Sequence, residues 1–196
     1  MILGLDEMLL RAMLAPSHGP LWLVATVFSA LGGGWSMLAI LPLAFVPRAR
    51  RLALWLVLTL ALTGLVVVSM KAMVSRGRPI VACADLAGTI CNSPTDPSYP
   101  SGHTAGSFAF ALFSVRALLD GGPRLRYARE LAVGCVLFAS CVGVSRVVLG
   151  AHFPSDVVAG TILGSTAGAM AGRRFTSSRA RMASAAAGSA RARGRL

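Results

Sequence analysis

Long apolar runs alternate along this chain with short polar islands. From Pro20 to Val46 there is no charged residue, and a second uncharged run extends from Leu52 to Met70. Three more apolar runs follow, from about Ser101 to Leu119, Leu131 to Leu149 and Ser155 to Gly172. Each is close to the roughly 20 residues that a helix needs to cross a bilayer. The pattern therefore predicts an all-α membrane bundle of about five spanning helices. The first nineteen residues differ, because Leu3, Leu5, Leu9, Leu10, Met13 and Leu14 are mixed with Asp6, Glu7 and Arg11 before Pro16-Ser17-His18-Gly19. That segment is too short and too charged to span, and it lacks the basic start and small-residue cleavage site of a signal peptide. It predicts an amphipathic helix lying in the interface, with His18 in the turn behind it. Gly32-Gly33-Gly34, inside the first run, predict close packing of a neighbouring helix.

Between the second and third runs, prolines at 79, 94, 97 and 100 and glycines at 77 and 88 indicate loop and broken helix. After Gly172 the chain turns to Arg, Ala, Ser and Gly, a composition that predicts a disordered tail. The organisation expected is one membrane-embedded domain over residues 1–172, with 1–19 as its interfacial helix, and a basic tail at 173–196. A hydrophobic content of 55%, a charged content of 13% and a mean hydropathy of +0.70 exclude an ordinary soluble domain. The net charge of +12 would point to nucleic acid in a soluble chain. Here the placement of the charges matters more than their sum, and no nucleic-acid partner is expected.

Eighteen of the nineteen basic residues are arginine, and Lys71 is the exception. Thirteen of the arginines fall after the first run, after the third run or in the tail, and by the positive-inside rule that side is cytoplasmic. The N-terminus is then outside and the C-terminus inside. Alternate crossing carries three polar islands to the outer face: Lys71 to Arg78, Ser101 to His103, and Arg146 to Asp156. Residues about eighty positions apart can thus share one site.

The inventory of that site is rich in cations: Lys71, Arg76, Arg78 and Arg146, with His103, His152 and Asp156 beside them. Charges at a membrane edge are costly, so four cations without acidic partners imply a bound anion. Phosphate best rewards several bidentate donors. Pro100-Ser101-Gly102-His103 starts a helix, whose N–H groups favour an oxyanion. Asp156 follows His152 by four positions and can fix its tautomer, leaving the other ring nitrogen as a nucleophile toward phosphorus. His103 can then act as general acid toward the leaving oxygen. The cations would do the work that magnesium does elsewhere, so neither metal nor other cofactor is expected. Cys135 and Cys141 lie six apart inside a span, and arginines would repel a metal cation. Cys83 and Cys91, in the outer loop, could form a disulfide or remain thiols.

Lys71 to Pro79 reads K-x6-R-P, residues 100–103 read P-S-G-H, and Ser145 to Asp156 reads S-R-x5-H-x3-D. All three parts occur in order and resemble the signature of the type 2 phosphatidic acid phosphatase superfamily, which also includes the vanadium haloperoxidases. The resemblance covers roughly residues 20–172. It implies that Lys71, Arg78 and Arg146 bind phosphate oxygens with Ser101 and the Gly102 amide. It further implies that His152 forms a phosphohistidine, that Asp156 orients it, and that His103 protonates the leaving group and later activates water. Arg76 lies outside the signature, and a lipid headgroup contact is the expectation for it. Larger members have six spans, whereas the first helix here reads as interfacial. The expected activity is a phosphatase of lipid phosphates or diphosphates at the outer face of a bacterial plasma membrane. Undecaprenyl diphosphate leads as substrate, with phosphatidylglycerophosphate and phosphatidic acid as alternatives. A lipid phosphotransferase needs the same residues, and a non-catalytic anion-binding protein would leave His152 and Asp156 unused. The long uncharged runs count against a haloperoxidase.

Overall fold

The computed structural model describes residues 2–16, 19–33, 40–47, 49–83, 95–120 and 126–193. His18, Gly34 and Cys91, and with Cys91 any pairing to Cys83, lie outside the described residues. Among those described there is helix and connection but no strand. The helices are α1 (Ile2–Met13), α2 (Pro20–Leu31), α3 (Arg50–Val74), the single turn α4 (Pro79–Ala82), α5 (Gly102–Asp120), α6 (Ala128–Val148) and α7 (Pro154–Arg193), with a 3-10 turn at Leu41–Phe45. The helices α3 and α6 fall within the segments Arg50–Ala82 and Ala128–Val148, which are long and apolar enough to cross a membrane by length and composition. Their outer faces carry exposed Leu54, Leu58, Leu62 and Leu65 on α3 and Leu131, Val133 and Leu137 on α6, an apolar surface suited to lipid.

The first apolar run is not one helix from Pro20 to Val46. Proline opens α2 at its first turn, where the missing N–H costs nothing, and the helix stops at Leu31 with Gly32 as its cap. A Cβ on Gly32 would lie 2.4 Å from Val142 Cγ1, so the expected close packing occurs at the place where the helix breaks. The next helix, α3, outlasts its apolar run and stops where Ser75 takes a left-handed conformation (φ 47) and donates its N–H to Lys71 O at 2.9 Å. That turn sends Arg76 and Arg78 back toward the bundle.

The centre of the fold is the pairing of α5 with α7. Gly160, Gly164 and Gly168 repeat every four residues along α7 and face Ser101, just before α5, and Ala105 and Ala109 within it. A Cβ on Gly164 would sit 2.1 Å from Ala105 O, and one on Gly168 would sit 2.3 Å from Ala109 O. Small residues therefore let the two backbones touch, which is how helices gain packing where lipid removes the hydrophobic drive between them. The tops of both helices are joined as Ser101 N–H donates to Asp156 O at 3.0 Å.

At its other end α7 continues as helix to Arg193, well beyond Gly172, where disorder was expected. Phe175 explains the first part of the extension. It is buried against Leu56, Leu60 and Phe113, and Arg51 donates to Ser178 Oγ one turn further on. The Ala and Arg that follow are good helix formers. The helix α1 forms as expected but is turned with a carboxylate inward: Asp6 and Leu10 are buried, while Leu5, Met8 and Leu9 are exposed.

Candidate active site

Polar islands from α3, α5, α6 and α7 meet at one end of the bundle. Arg146, in the last turn of α6, is buried and donates from Nη1 to Ser29 Oγ of α2. The chain then turns through Gly150 in a left-handed conformation (φ 67), a region that glycine enters without steric cost. As a result Ala151 and His152 both donate their N–H to Arg146 O, at 3.0 and 3.2 Å. Pro154 opens α7, and two residues later the Asp156 carboxylate reaches back to the Phe153 N–H at 2.9 Å, one half of a capping box.

This local geometry fixes the ring of His152, which is 2% exposed. Its Nδ1 lies 3.7 Å from Asp156 Oδ2, longer than a hydrogen bond, and has no other partner. Its Nε2 points the opposite way, 3.4 Å from Arg78 Nη1. Burial holds the imidazole well below the usual histidine range, to about 4. The Asp156 contact opposes that effect and the charges of Arg146 and Arg78 add to it. At neutral pH His152 is therefore an uncharged imidazole facing a guanidinium.

Arg78 is almost fully buried, and its Nη1 also donates to Ala151 O at 2.8 Å. His103, on the first turn of α5, lies within electrostatic range of Arg146, His152, Arg78 and Lys71. Gly33, at the end of α2, covers it: a Cβ there would be 3.4 Å from His103 Nε2. Arg146 Nε and His152 Nδ1 are the buried side-chain atoms without a hydrogen-bond partner among the described residues, and both belong to this cluster. Two of the expected residues are placed differently from the rest. Ser101 is fully buried, and its Oγ accepts from Thr104 Oγ1 at 2.9 Å. A Cβ on Gly102 would meet Val67 at an ordinary 3.5 Å, so packing does not demand glycine there.

Two acidic residues correct the charge inventory. The cations do have acidic partners. Asp96 accepts from Lys71 Nζ through Oδ2 and from Arg78 Nη2 at 2.8 Å through Oδ1, so its carboxylate bridges two of the expected phosphate ligands. Burial raises its affinity for a proton, but those two donors and their charges outweigh it and hold the carboxyl down at about 2. Asp96 O and Pro97 O take further bonds from Arg78 Nε and Lys71 Nζ. Arg76 is not free for a lipid headgroup either. Its Nη1 donates to Asp156 Oδ1 and its Nη2 to Asp6 Oδ2, at 2.7 and 2.8 Å. The signal for Asp96 was a carboxylate between Pro94 and Pro97 in the proline-rich connection that follows Arg78. Asp6 offered none beyond its presence in an apolar helix.

Chemically, the cluster offers a buried neutral imidazole, a carboxylate behind it, a second histidine in electrostatic range, and the charges of Arg78 and Arg146 acting on the ring, with Lys71 joined to Arg78 through Asp96. A family model described as the PAP2 superfamily matches residues 52–178. The chain is 34% identical over 141 residues to the decaprenylphosphoryl-5-phosphoribose phosphatase of Mycobacterium tuberculosis, covering 70% of this chain and 69% of that one. It is 33% identical to the lipid A 1-phosphatase of Rhizobium johnstonii, over 56% of this chain and 42% of the relative. Among solved structures, Aquifex aeolicus LpxE matches with a TM-score of 0.67 at 28% identity, over 84% of this chain and 92% of that one. A transmembrane PAP2 type phosphatidylglycerolphosphate phosphatase from Bacillus subtilis matches with a TM-score of 0.72 at 22% identity, over 87% and 84%, which is a likeness of fold.

Proposed function

This chain belongs to the PAP2 superfamily as a membrane lipid phosphatase, and from that premise we propose that it cleaves a terminal phosphate from a polyprenyl-linked substrate through a phosphohistidine on His152. The observation that carries the chemistry is the setting of that ring, buried, with Nδ1 toward Asp156 and Nε2 toward Arg78. With the ring proton on Nδ1, the Nε2 lone pair is the attacking group. Lys71, Arg78 and Arg146 hold the phosphoryl oxygens, and the Gly102 amide at the head of α5 adds its N–H. The orphaned Nε of Arg146 is a donor that an oxyanion would satisfy. Attack forms the P–N bond and breaks the P–O bond to the lipid side, whose oxygen takes a proton from the His103 imidazolium, leaving that ring neutral. Water, deprotonated by His103, then attacks the phosphohistidine, releasing phosphate and restoring the neutral ring.

For the substrate, the strongest support is the 34% identity to a decaprenylphosphoryl-5-phosphoribose phosphatase across more than two thirds of both chains. That relation favours a phosphorylated sugar or a diphosphate carried on a polyprenyl chain, the class to which undecaprenyl diphosphate also belongs. Five helical passes, an outer-face site and a cytoplasmic C-terminus in the plasma membrane complete the reading, supported by the distribution of arginines. The test is phosphate release by detergent-purified protein from decaprenylphosphoryl-5-phosphoribose, undecaprenyl diphosphate, phosphatidylglycerophosphate and phosphatidic acid. The polyprenyl substrates should be turned over fastest, and His152→Ala should abolish release from all four. Preference for a diacyl lipid would overturn the substrate, and an active His152→Ala would overturn the mechanism.

A further inference from the structure

The sequence left Arg76 outside the signature and α1 outside the catalytic region, yet the structure joins them. Arg76 Nη1 donates to Asp156 Oδ1 and to Ser155 Oγ, both at 2.7 Å. Its Nη2 donates to Asp6 Oδ2 at 2.8 Å, and its guanidinium lies over the Phe153 ring, 4.2 Å from the centroid. Asp6 in turn accepts the Ser155 N–H at 2.9 Å through Oδ1 and the Ser155 hydroxyl through Oδ2. Asp6 is 4% exposed and Asp156 is fully buried. One guanidinium therefore bridges two buried carboxylates, seventy and eighty positions away from it.

We propose that Arg76, held in place by Asp6 of α1, is a positioning residue for the nucleophile, acting on His152 through Asp156; this rests on the reading of His152 as the attacking group. Asp156 has two oxygens with separate duties. Oδ1 is committed to Arg76, and Oδ2 takes the Phe153 N–H and faces His152 Nδ1. Arg76 thus decides which oxygen faces the ring. Its charge also draws electron density from the carboxylate, weakening the pull of Oδ2 on the Nδ1 proton and leaving Nε2 less basic. Asp6 moderates that withdrawal by sharing the same guanidinium. The stacking on Phe153, the residue next to His152, locks the guanidinium against the turn that carries the nucleophile. An interfacial helix, remote in sequence, becomes part of the support of the reacting nitrogen.

The remaining groups around the ring are charged but arranged differently. Arg78 and Arg146 face it from the connection after α3 and from α6, His103 lies on α5, and Lys71 on α3 is turned to Asp96 and Pro97. None of these touches Asp156 Oδ1 in the structure, so a change at Arg76 or Asp6 reports on the carboxylate behind the ring.

The experiment compares full-length wild type, Arg76→Gln, Arg76→Lys, Asp6→Asn and His152→Ala in detergent, by phosphate release against pH and by thermal unfolding. Arg76→Gln should lower kcat about tenfold or more with KM little changed, and Arg76→Lys should recover part of the loss. The acid limb of kcat/KM should rise by about one pH unit in Arg76→Gln, since an unshared Asp156 favours the protonated ring. In Asp6→Asn, where Arg76 bears on Asp156 unopposed, it should move the other way. A rise in KM without movement of either limb would overturn the proposal, as would activity that falls only in step with unfolding. Should Arg76→Gln not fold, Asp6→Asn decides alone, and an unmoved limb there is a refutation. Activity in His152→Ala would instead sink the underlying mechanism, a failure distinguishable from that of Arg76.

Discussion

Asp96 offers the sharpest quantitative prediction. Its carboxylate sits between Lys71 Nζ and Arg78 Nη2, the donors assigned to phosphate, so substrate must displace it. Asp96→Asn removes the charge while keeping the shape and the two backbone carbonyl contacts to these cations. Held at about 2 against an ordinary 3.8, the carboxyl would at face value contribute about 2.5 kcal/mol. The side chain is 51% exposed, however, and solvent screening reduces this to about 1 kcal/mol. The sign follows from a folded-state value below the unfolded one. That contribution is complete above about pH 4 and is lost as the pH falls through about 2. At neutral pH Asp96→Asn should therefore unfold slightly more easily. The same ~1 kcal/mol no longer opposes the anion, so the inhibition constant for orthovanadate should fall about fivefold. Vanadate titration of phosphate release, with a thermal melt on the same samples, measures both. A folded variant whose vanadate affinity is unchanged or weaker would refute the competition and leave Asp96 as an organiser of the cations.

Other outcomes follow from the geometry already described. Burial and the neighbouring guanidinium groups keep His152 neutral down to about pH 4, so the acid limb of kcat/KM should lie near there and not near 6.5; a limb at the ordinary histidine value would mean that the ring is solvated in solution. Gly164→Ala puts a methyl 2.1 Å from Ala105 O and should cost about 1–3 kcal/mol and most activity. Gly134→Ala, with nothing within 4 Å, should leave the melting temperature equal or higher. Single cysteines at positions 88 and 121 test the orientation: impermeant maleimide should label the first in intact cells and the second after lysis, and the reverse pattern would invert the topology.

The three-part signature was readable because each part is local. His152 and Asp156 are four residues apart, the separation of one helical turn, and Pro154 marks where that turn begins; K-x6-R-P and P-S-G-H are equally compact. The apolar runs likewise announced α3, α5, α6 and the first half of α7, since period and length need no knowledge of partners. What could not be read is each feature defined by a distant partner. The close approach at Gly32 involves Val142, the start of α7 beyond Gly172 packs Phe175 against Leu56, Leu60 and Phe113, and both sets of partners are set by how the helices stack. The spacing of Gly160, Gly164 and Gly168 was visible in the chain, but its meaning lay in Ala105 and Ala109 across the interface.

Electrostatics divides in the same way. Counting charges along the chain revealed an excess of cations near the catalytic motifs and led to the expectation that a bound anion alone balances them. Only the tertiary structure brings Asp96 between Lys71 and Arg78, and Asp6 and Asp156 to either side of Arg76. The reason is physical. A carboxylate's effect falls steeply with distance and rises as water is excluded, and neither separation nor burial is written in the order of residues. By itself the sequence determined which polar groups lie in the three motifs; the packing of α1, α5 and α7 decided how those groups are held and what neutralises them.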